Sequence, residues 1–251
     1  MEYKSVLITG ATGKLGKLLS TRLKNCLIST PTRREMNIIN NKSVSNYFQR
    51  RSFDAIIHCA AMTNGLECEK NPTLALLTNI VGTSHLVREV IEKPETRFMY
   101  MSTDYVYPCV QGPYKETDAT SPFNLYAESK LVGEKCVREL PNQCIVRTSF
   151  FDPQNIQFDS APTDVFCSKI PIGELADAVI YLLNQPFRGV INVGQNRISL
   201  YDLYKSYKPN IKPTTLDEIS KRSPIRRAMD SSMDVSLWKT LSAKPEQFKN
   251  Q

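Results

Sequence analysis

Tyr126 and Lys130 stand four residues apart in Tyr126-Ala127-Glu128-Ser129-Lys130, and on a helix that spacing puts both side chains on one face, about one turn apart. An ammonium beside a phenol biases it toward phenolate, which makes a proton donor usable near neutral pH. Thr103 closes the apolar run Phe98-Met99-Tyr100-Met101-Ser102, and its hydroxyl can hydrogen-bond the same reacting oxygen. Together the three make a carbonyl-reducing constellation. The Tyr-to-Lys spacing is common on solvated helices by chance, so the reading depends on what precedes it in the chain.

What precedes it is a nucleotide-binding pattern. Ser5-Val6-Leu7-Ile8-Thr9 is a short apolar strand, Gly10-Ala11-Thr12-Gly13-Lys14-Leu15-Gly16 a glycine turn, and Leu18, Leu19 and Leu23 open a helical pattern. Gly10 suits the tight turn, Gly13 a close approach of backbone amides to a pyrophosphate, and Gly16 close packing of helix on sheet, with the phosphates on the helix amino terminus. The second strand, Cys26-Leu27-Ile28-Ser29, ends in Thr30-Pro31-Thr32-Arg33-Arg34 with no acidic residue to take a free ribose 2'-hydroxyl. Arg33 and Arg34 therefore favour NADPH, with NADH possible. Asn37 and Ile38 are placed to cap the adenine. The third strand runs from Phe53 to the small Cys59-Ala60-Ala61 end, apolar enough to be buried on both faces. His58 within it reads as a satisfied core histidine.

A helix with Leu74, Leu77, Val81, Ser84, Val87 and Ile91 as its inward face follows, then the fourth strand ending at Thr103 and the helix of Tyr126 and Lys130. Gln143 to Arg147 and Val190 to Val193 read as later strands, and Ser199-Leu200-Tyr201-Asp202 as a capping box opening a short helix. Strands alternating with helices predict an α/β fold, a doubly wound parallel sheet (Rossmann fold) with a small C-terminal substrate lobe: residues 1–150 as the NAD(P)-binding domain and 151–251 as the lobe, interleaved with late sheet elements.

Composition narrows the class further. A chain of 251 residues with 41% hydrophobic content can bury one large core. The start of the chain leads into an apolar run too short for a signal segment, and no stretch reaches the length of a membrane span, so a cytoplasmic location and no membrane partner are expected. Seven cysteines without a C-x-x-C pair are expected to be reduced, and with two histidines no metal site is expected. The formal charge of +7 is spread over isolated basic pairs, Arg226-Arg227 among them, which fits an anionic small molecule better than nucleic acid.

Residues 6–193 resemble an extended short-chain dehydrogenase/reductase of the dTDP-4-dehydrorhamnose reductase family. The blocks that carry the resemblance are Ser102-Thr103-Asp104-Tyr105-Val106-Tyr107, Pro122-Phe123-Asn124-Leu125-Tyr126-Ala127-Glu128-Ser129-Lys130-Leu131, Gly133-Glu134-Lys135 and Arg147-Thr148-Ser149. The resemblance implies catalytic roles for Thr103, Tyr126 and Lys130. It implies substrate contacts at Thr103, Asp104 and Phe150. The cofactor would be held by Gly10, Thr12, Gly13, Lys14, Leu15, Gly16, Arg33, Arg34, Asn37, Ile38, Cys59, Ala60, Ala61, Thr63, Asn79, Tyr126 and Lys130. The implied reaction is NADPH-dependent reduction of the 4-keto group of a dTDP- or UDP-linked 4-keto-6-deoxy sugar, in a chain able to form a homodimer. The alternatives are a silent NADP-binding regulatory subunit of another enzyme and a bifunctional epimerase/reductase. Only Phe150 to Ser160 separates Ser149 from Ala161-Pro162-Thr163, so a helical segment usual in the family is missing here.

Overall fold

The computed structural model describes residues 3–222 and 227–243; Met1, Glu2 and Arg226 fall outside them, as does the side chain of Arg222. Five strands, β1 (Ser5–Thr9), β2 (Leu27–Ser29), β3 (Ala55–His58), β4 (Arg97–Met101) and β5 (Gln143–Thr148), join the strand Gly189–Val193 in one sheet. Its order is Gly189–Val193, β5, β4, β3, β1, β2, and every pairing is parallel. Strand order reverses at β1, which lies between β2 and β3, and a crevice opens there beyond the carboxyl ends of the strands.

Alternate residues of the buried strands feed two layers. Val6, Ile8, Ile57, Met99 and Val146 face Leu15 and Leu19 of helix α1 (Lys14–Arg22) together with Leu175, Val179 and Leu182. Leu7, Ile56, Phe98, Tyr100 and Ile145 face the opposite layer, which holds Val44 and Phe48 of α2 (Asn41–Gln49). Each fully buried Leu or Ile removes enough apolar surface to contribute roughly 1.5–3 kcal/mol, which is why these strands are apolar on both faces.

The segment before β4 departs from the expected helix. After α3 (Gly65–Lys70) come α4 (Pro72–Leu76), a π-helical turn at Leu77–Val81 and α5 (Gly82–Val90). Leu74, Leu77 and Ile91, expected to point inward, are 39%, 37% and 45% exposed, whereas Ala75, Asn79, Gly82, Thr83, Leu86 and Val90 are buried. The extra residue of the π turn shifts the phase of the helix. Close approach also selects small side chains: a Cβ on Gly82 would fall 2.8 Å from Ile38 Cδ1.

Helix α6 (Leu125–Arg138) starts at Asn124, whose side chain accepts from the Ala127 N–H at 2.8 Å, and carries Tyr126, Lys130 and Glu134 at successive turns. Glu134 is fully buried, accepting from Ser102 Oγ (2.5 Å), Arg147 Nε (3.0 Å) and Arg147 Nη2 (2.7 Å). Arg147 Nη1 also donates to the Tyr107 hydroxyl at 3.0 Å, which in turn donates to Asn192 Oδ1 at 2.9 Å. One network thus ties α6 to β4, β5 and the edge strand.

The last third of the chain returns to the sheet through α7 (Ile172–Leu183), which packs on α1. Around it lie three two-stranded ribbons: Phe150–Phe151 with Ile170–Pro171, Ser160–Pro162 with Lys212–Thr214, and Phe166–Cys167 with Ile198–Ser199. Their small core holds Phe151, Cys167, Leu203, Tyr204 and Ile211. Of the expected capping box at Ser199 the cap is present: its hydroxyl accepts from the Asp202 N–H at 3.0 Å, while the Asp202 carboxylate takes the Ser199 hydroxyl at 2.7 Å in place of its N–H. No helix among the described residues is long and apolar enough to cross a membrane. Removing one partner of a buried ion pair leaves the other charge uncompensated, so Arg147→Met is expected to cost roughly 3–5 kcal/mol. The urea midpoint should fall accordingly and recover in part when Glu134→Met is added.

Candidate active site

The crevice at the strand-order reversal is a cleft of about 670 Å³ that runs from the glycine turn to α6. At one end the chain leaves β1 through Gly10, whose φ of +69° and a Cβ clash at 2.6 Å from Ala60 N exclude other residues. Gly16 is equally confined, because a Cβ there would collide with the Gly10 carbonyl. Gly13 differs. Its Cβ would meet only Gly10 O at 3.2 Å, so its other sides present bare backbone, and it stands at the amino end of α1 where the first amides have no partner within the helix. A bare backbone cradle at a helix amino terminus fits a pyrophosphate.

Sixteen of the residues singled out from the sequence wall this cleft: Gly10, Thr12, Gly13, Lys14, Leu15, Gly16, Arg33, Asn37, Ile38, Cys59, Ala60, Ala61, Thr63, Tyr126, Lys130 and Phe150. Four do not line it. Arg34 is exposed one residue beyond Arg33. Asn79 is 1% exposed, its amide accepting from Met62 N (2.8 Å) and donating to Met62 O (3.0 Å) and Ser129 Oγ (2.8 Å). It braces the wall against α6 and, contrary to the expectation from sequence, does not line the cleft. Thr103 and Asp104 lie beneath Tyr126, buried at the end of β4. The sequence reading missed Ser102, Thr148, Met36 and Thr78 among the lining residues. Ser102 and Thr148 belong to the quoted family blocks; only the fold reveals that they face the cleft.

At the α6 end the groups meet. Thr103 accepts from Tyr105 N at 3.3 Å and donates to Asp104 Oδ1 at 3.1 Å, and its hydroxyl lies close enough to the Tyr126 phenol to act on its pKa. Burial pushes that phenol well above the usual tyrosine range, Thr103 opposes the shift, and the nearby Asp104 adds to it. Tyr126 is therefore a fully protonated donor near neutral pH. The sequence reading had Lys130 drawing it toward phenolate; burial outweighs that effect here. Lys130 is 3% exposed, and burial pushes its amine down to about 7 against the opposing influence of Cys59 and Glu134.

Behind this wall, His58 bonds Thr9 Oγ1 (2.7 Å) and Thr83 Oγ1 (3.0 Å), and burial drives it down to about 3, so it is a neutral core residue. Asp104 is 2% exposed; its Oδ2 has no hydrogen-bond partner, and burial raises its carboxyl against the pull of Lys169. Lys169 Nζ donates to Ser149 Oγ at 2.8 Å, beside Phe150. Among the described residues no group of His, Cys, Asp and Glu could hold a metal ion.

Comparison with known proteins agrees with this geometry. Residues 4–157 match the family described as the RmlD substrate binding domain. The chain is 31% identical over 176 residues to "Methionine adenosyltransferase 2 subunit beta" of Danio rerio, covering 65% of this chain and 53% of that protein. It is 30% identical over 211 residues to "Spore coat polysaccharide biosynthesis protein SpsK" of Bacillus subtilis, covering 77% and 74%. Among solved structures it is similar to the dTDP-4-dehydrorhamnose reductase of Bacillus anthracis in complex with NADP, with a TM-score of 0.84 and 26% identity over 94% of this chain and 92% of that one. The chain thus spans about half the length of the first relative.

The glycine turn generates a direct comparison. Gly10→Ala forces an L side chain into a left-handed conformation against the Ala60 backbone and is expected to destabilise by more than about 1 kcal/mol, whereas Gly13→Ala costs well under that. Thermal melts of the two variants check the difference.

Proposed function

The chain belongs to the family of the RmlD substrate binding domain, and from that footing we propose that it is an NADPH-dependent reductase of the 4-keto group of a nucleotide-linked 4-keto-6-deoxy sugar. One observation carries the reading: a single cleft has a bare backbone cradle at Gly13 at one end and the Tyr126, Lys130 and Phe150 side chains at the other, with Thr103 beside the Tyr126 phenol.

The cradle residues Gly13, Lys14 and Leu15 would take the pyrophosphate, and Arg33 on the cleft wall would take a ribose 2'-phosphate. Glu35, the first carboxylate after β2 along the chain, spends an oxygen on Thr32, accepting from its N–H (2.8 Å) and hydroxyl (2.9 Å), which supports NADPH over NADH. When bound, the reduced nicotinamide supplies a hydride to the carbonyl carbon. The protein supplies the rest. Tyr126, kept protonated by its burial, gives its phenolic proton to the carbonyl oxygen as that oxygen gains charge, and Thr103 orients the two. Lys130, adjacent in the wall, holds the nicotinamide ribose and offsets the negative charge left on Tyr126. Asp104, behind the wall, would hold Thr103 in place through the bond to its Oδ1, and Phe150, 37% exposed, gives the sugar an apolar face. Residues 151–251 would supply the remaining substrate lobe, with the segment from Phe150 to Ser160 leaving that side shorter than is usual in the family.

A second reading rests on the similarity to a protein named as a methionine adenosyltransferase subunit: an NADP-binding subunit of another enzyme. Leu66, Leu74, Leu76 and Leu77 are exposed apolar side chains that a homodimer in the first reading or a partner enzyme in the second would cover.

Absorbance of the nicotinamide band, followed with dTDP- and UDP-linked 4-keto-6-deoxyhexoses, separates the readings, since only the reductase consumes NADPH. In the reductase, Tyr126→Phe is expected to cut turnover ~100- to 10,000-fold and leave NADPH affinity nearly unchanged. Arg33→Ala should erode the preference for NADPH over NADH, read as the ratio of kcat/KM for the two cofactors.

A further inference from the structure

Lys130 is a buried cation without a carboxylate of its own. It forms no ion pair within 4.0 Å among the described residues, and Glu134, one turn further along α6, is committed to Arg147 and Ser102. What faces the ammonium is an aromatic ring: Lys130 Nζ lies 4.0 Å from the ring centroid of Tyr100. We propose that Tyr100, a strand residue outside the reacting groups, is the positioning residue for Lys130, gripping it at both the main chain and the ammonium so that the amine is held ready at the cleft.

Three features make this more than core packing. The Tyr100 hydroxyl donates to the Lys130 carbonyl at 3.3 Å, so the same side chain that faces the ammonium also fixes the backbone from which it springs. The fold keeps room for this grip, because a Cβ on Gly133 would collide with the Tyr100 hydroxyl. The ring also packs against His58 on the neighbouring strand, with centroids 5.7 Å apart. An ammonium over an aromatic face is attracted by the ring quadrupole, and the attraction grows when both partners are out of water, as these are. Tyr100 is fully buried and Lys130 nearly so.

The other groups around the amine do not replace the ring. From β3, His58 is neutral and the Cys59 thiol is held protonated by burial, pushed up to about 12. From α6, Glu134 acts at a distance through its charge, and Tyr126 stays protonated. Against burial that brings the amine down to about 7, the Tyr100 face supports the charged form in immediate contact.

The inference rests on the proposed role of Lys130 for its consequence in activity, but its test needs no cofactor. The Lys130 Nζ and Cε resonances of the whole chain, assigned by their loss in Lys130→Met, are titrated by NMR in the wild type, Tyr100→Phe and Tyr100→Met. Tyr100→Phe keeps the ring face and should titrate with the wild type. Tyr100→Met keeps apolar volume but loses the face and should titrate about one pH unit lower. Identical titration of Phe and Met variants overturns the proposal, even if the melts of both fall. Should Tyr100→Met fail to fold, the wild type still decides: Lys130 Cε protons shifted upfield by the Tyr100 ring current support the contact, and unshifted protons overturn it. The same variants with NADP then separate the two ideas. In Tyr100→Met, affinity at pH 7.5 should drop up to about tenfold and return to the wild-type value at pH 5.5, where the amine is charged in both. A wild type that binds no NADP defeats the reductase reading and leaves the titration result standing.

Discussion

The arrangement depends on a carboxylate buried where water cannot reach it. Glu134 sits at the inner end of a row, Tyr126, Lys130 and Glu134, spaced by four residues along α6. A charge taken out of water is tolerated only where its hydrogen-bonding capacity is filled. Glu134 meets that demand with Ser102 at the end of β4 and a two-pronged Arg147 from β5. Sliding α6 by a turn, or rotating it by one residue, would strand the carboxylate, so its register against the two central strands is fixed. The register that satisfies Glu134 is the one that brings the Tyr126 phenol to Thr103, one residue beyond Ser102.

The same burial sets the protonation of the groups nearer the cleft and leaves a signature in stability. In the unfolded chain Lys130 keeps its proton up to its ordinary value of 10.5, whereas in the folded chain it releases it near 7. Between those values the unfolded state holds more protons, so this residue's contribution to stability rises with pH across that window and is at its most unfavourable below it. His58 follows the same sign lower down: neutral in the fold until about 3, it takes up a proton in the unfolded chain below 6.5, and its contribution falls as pH drops through that interval. Both groups penalise the folded state wherever the unfolded chain would carry their charge, and the penalty vanishes only above their ordinary values.

Much of this could be read from residue order because it depends on backbone. The turn at Gly10, the approach of Gly16 to it and the small Ala60 opposite are demands that only particular residue types meet, and they announce themselves in the sequence. The doubly wound sheet was legible for a similar reason: fully buried parallel strands are runs of Val, Ile, Leu and Met. The π turn at Leu77–Val81 was not, since nothing in the residue types marks an inserted residue, and an apolar stripe through Leu74, Leu77 and Ile91 pointed to a face that the fold leaves in solvent. Asn79 looked like a cofactor ligand by position, yet its hydrogen bonds all go to Met62 and Ser129. The state of Tyr126 was misjudged because spacing reports neighbours along a helix and says nothing of how much water surrounds them.

The two ends of the cleft are consequently built by different means. The glycine end is made of main chain held between β1 and β3, and its shape is insensitive to most side chains. The far end is bordered by Phe150, in a ribbon two residues long against Ile170–Pro171, so fewer main-chain bonds hold it. There Lys169 is held by Ser149, and although burial opposes its charge, Tyr105, Tyr204 and Asp104 together raise it, so a cation stands near an acid with an unfilled oxygen. A scaffold of that kind lets a few substitutions change which molecule fits without disturbing the sheet. The far end of the cleft can therefore diverge in this chain while the glycine end, tied to the backbone, stays as it is.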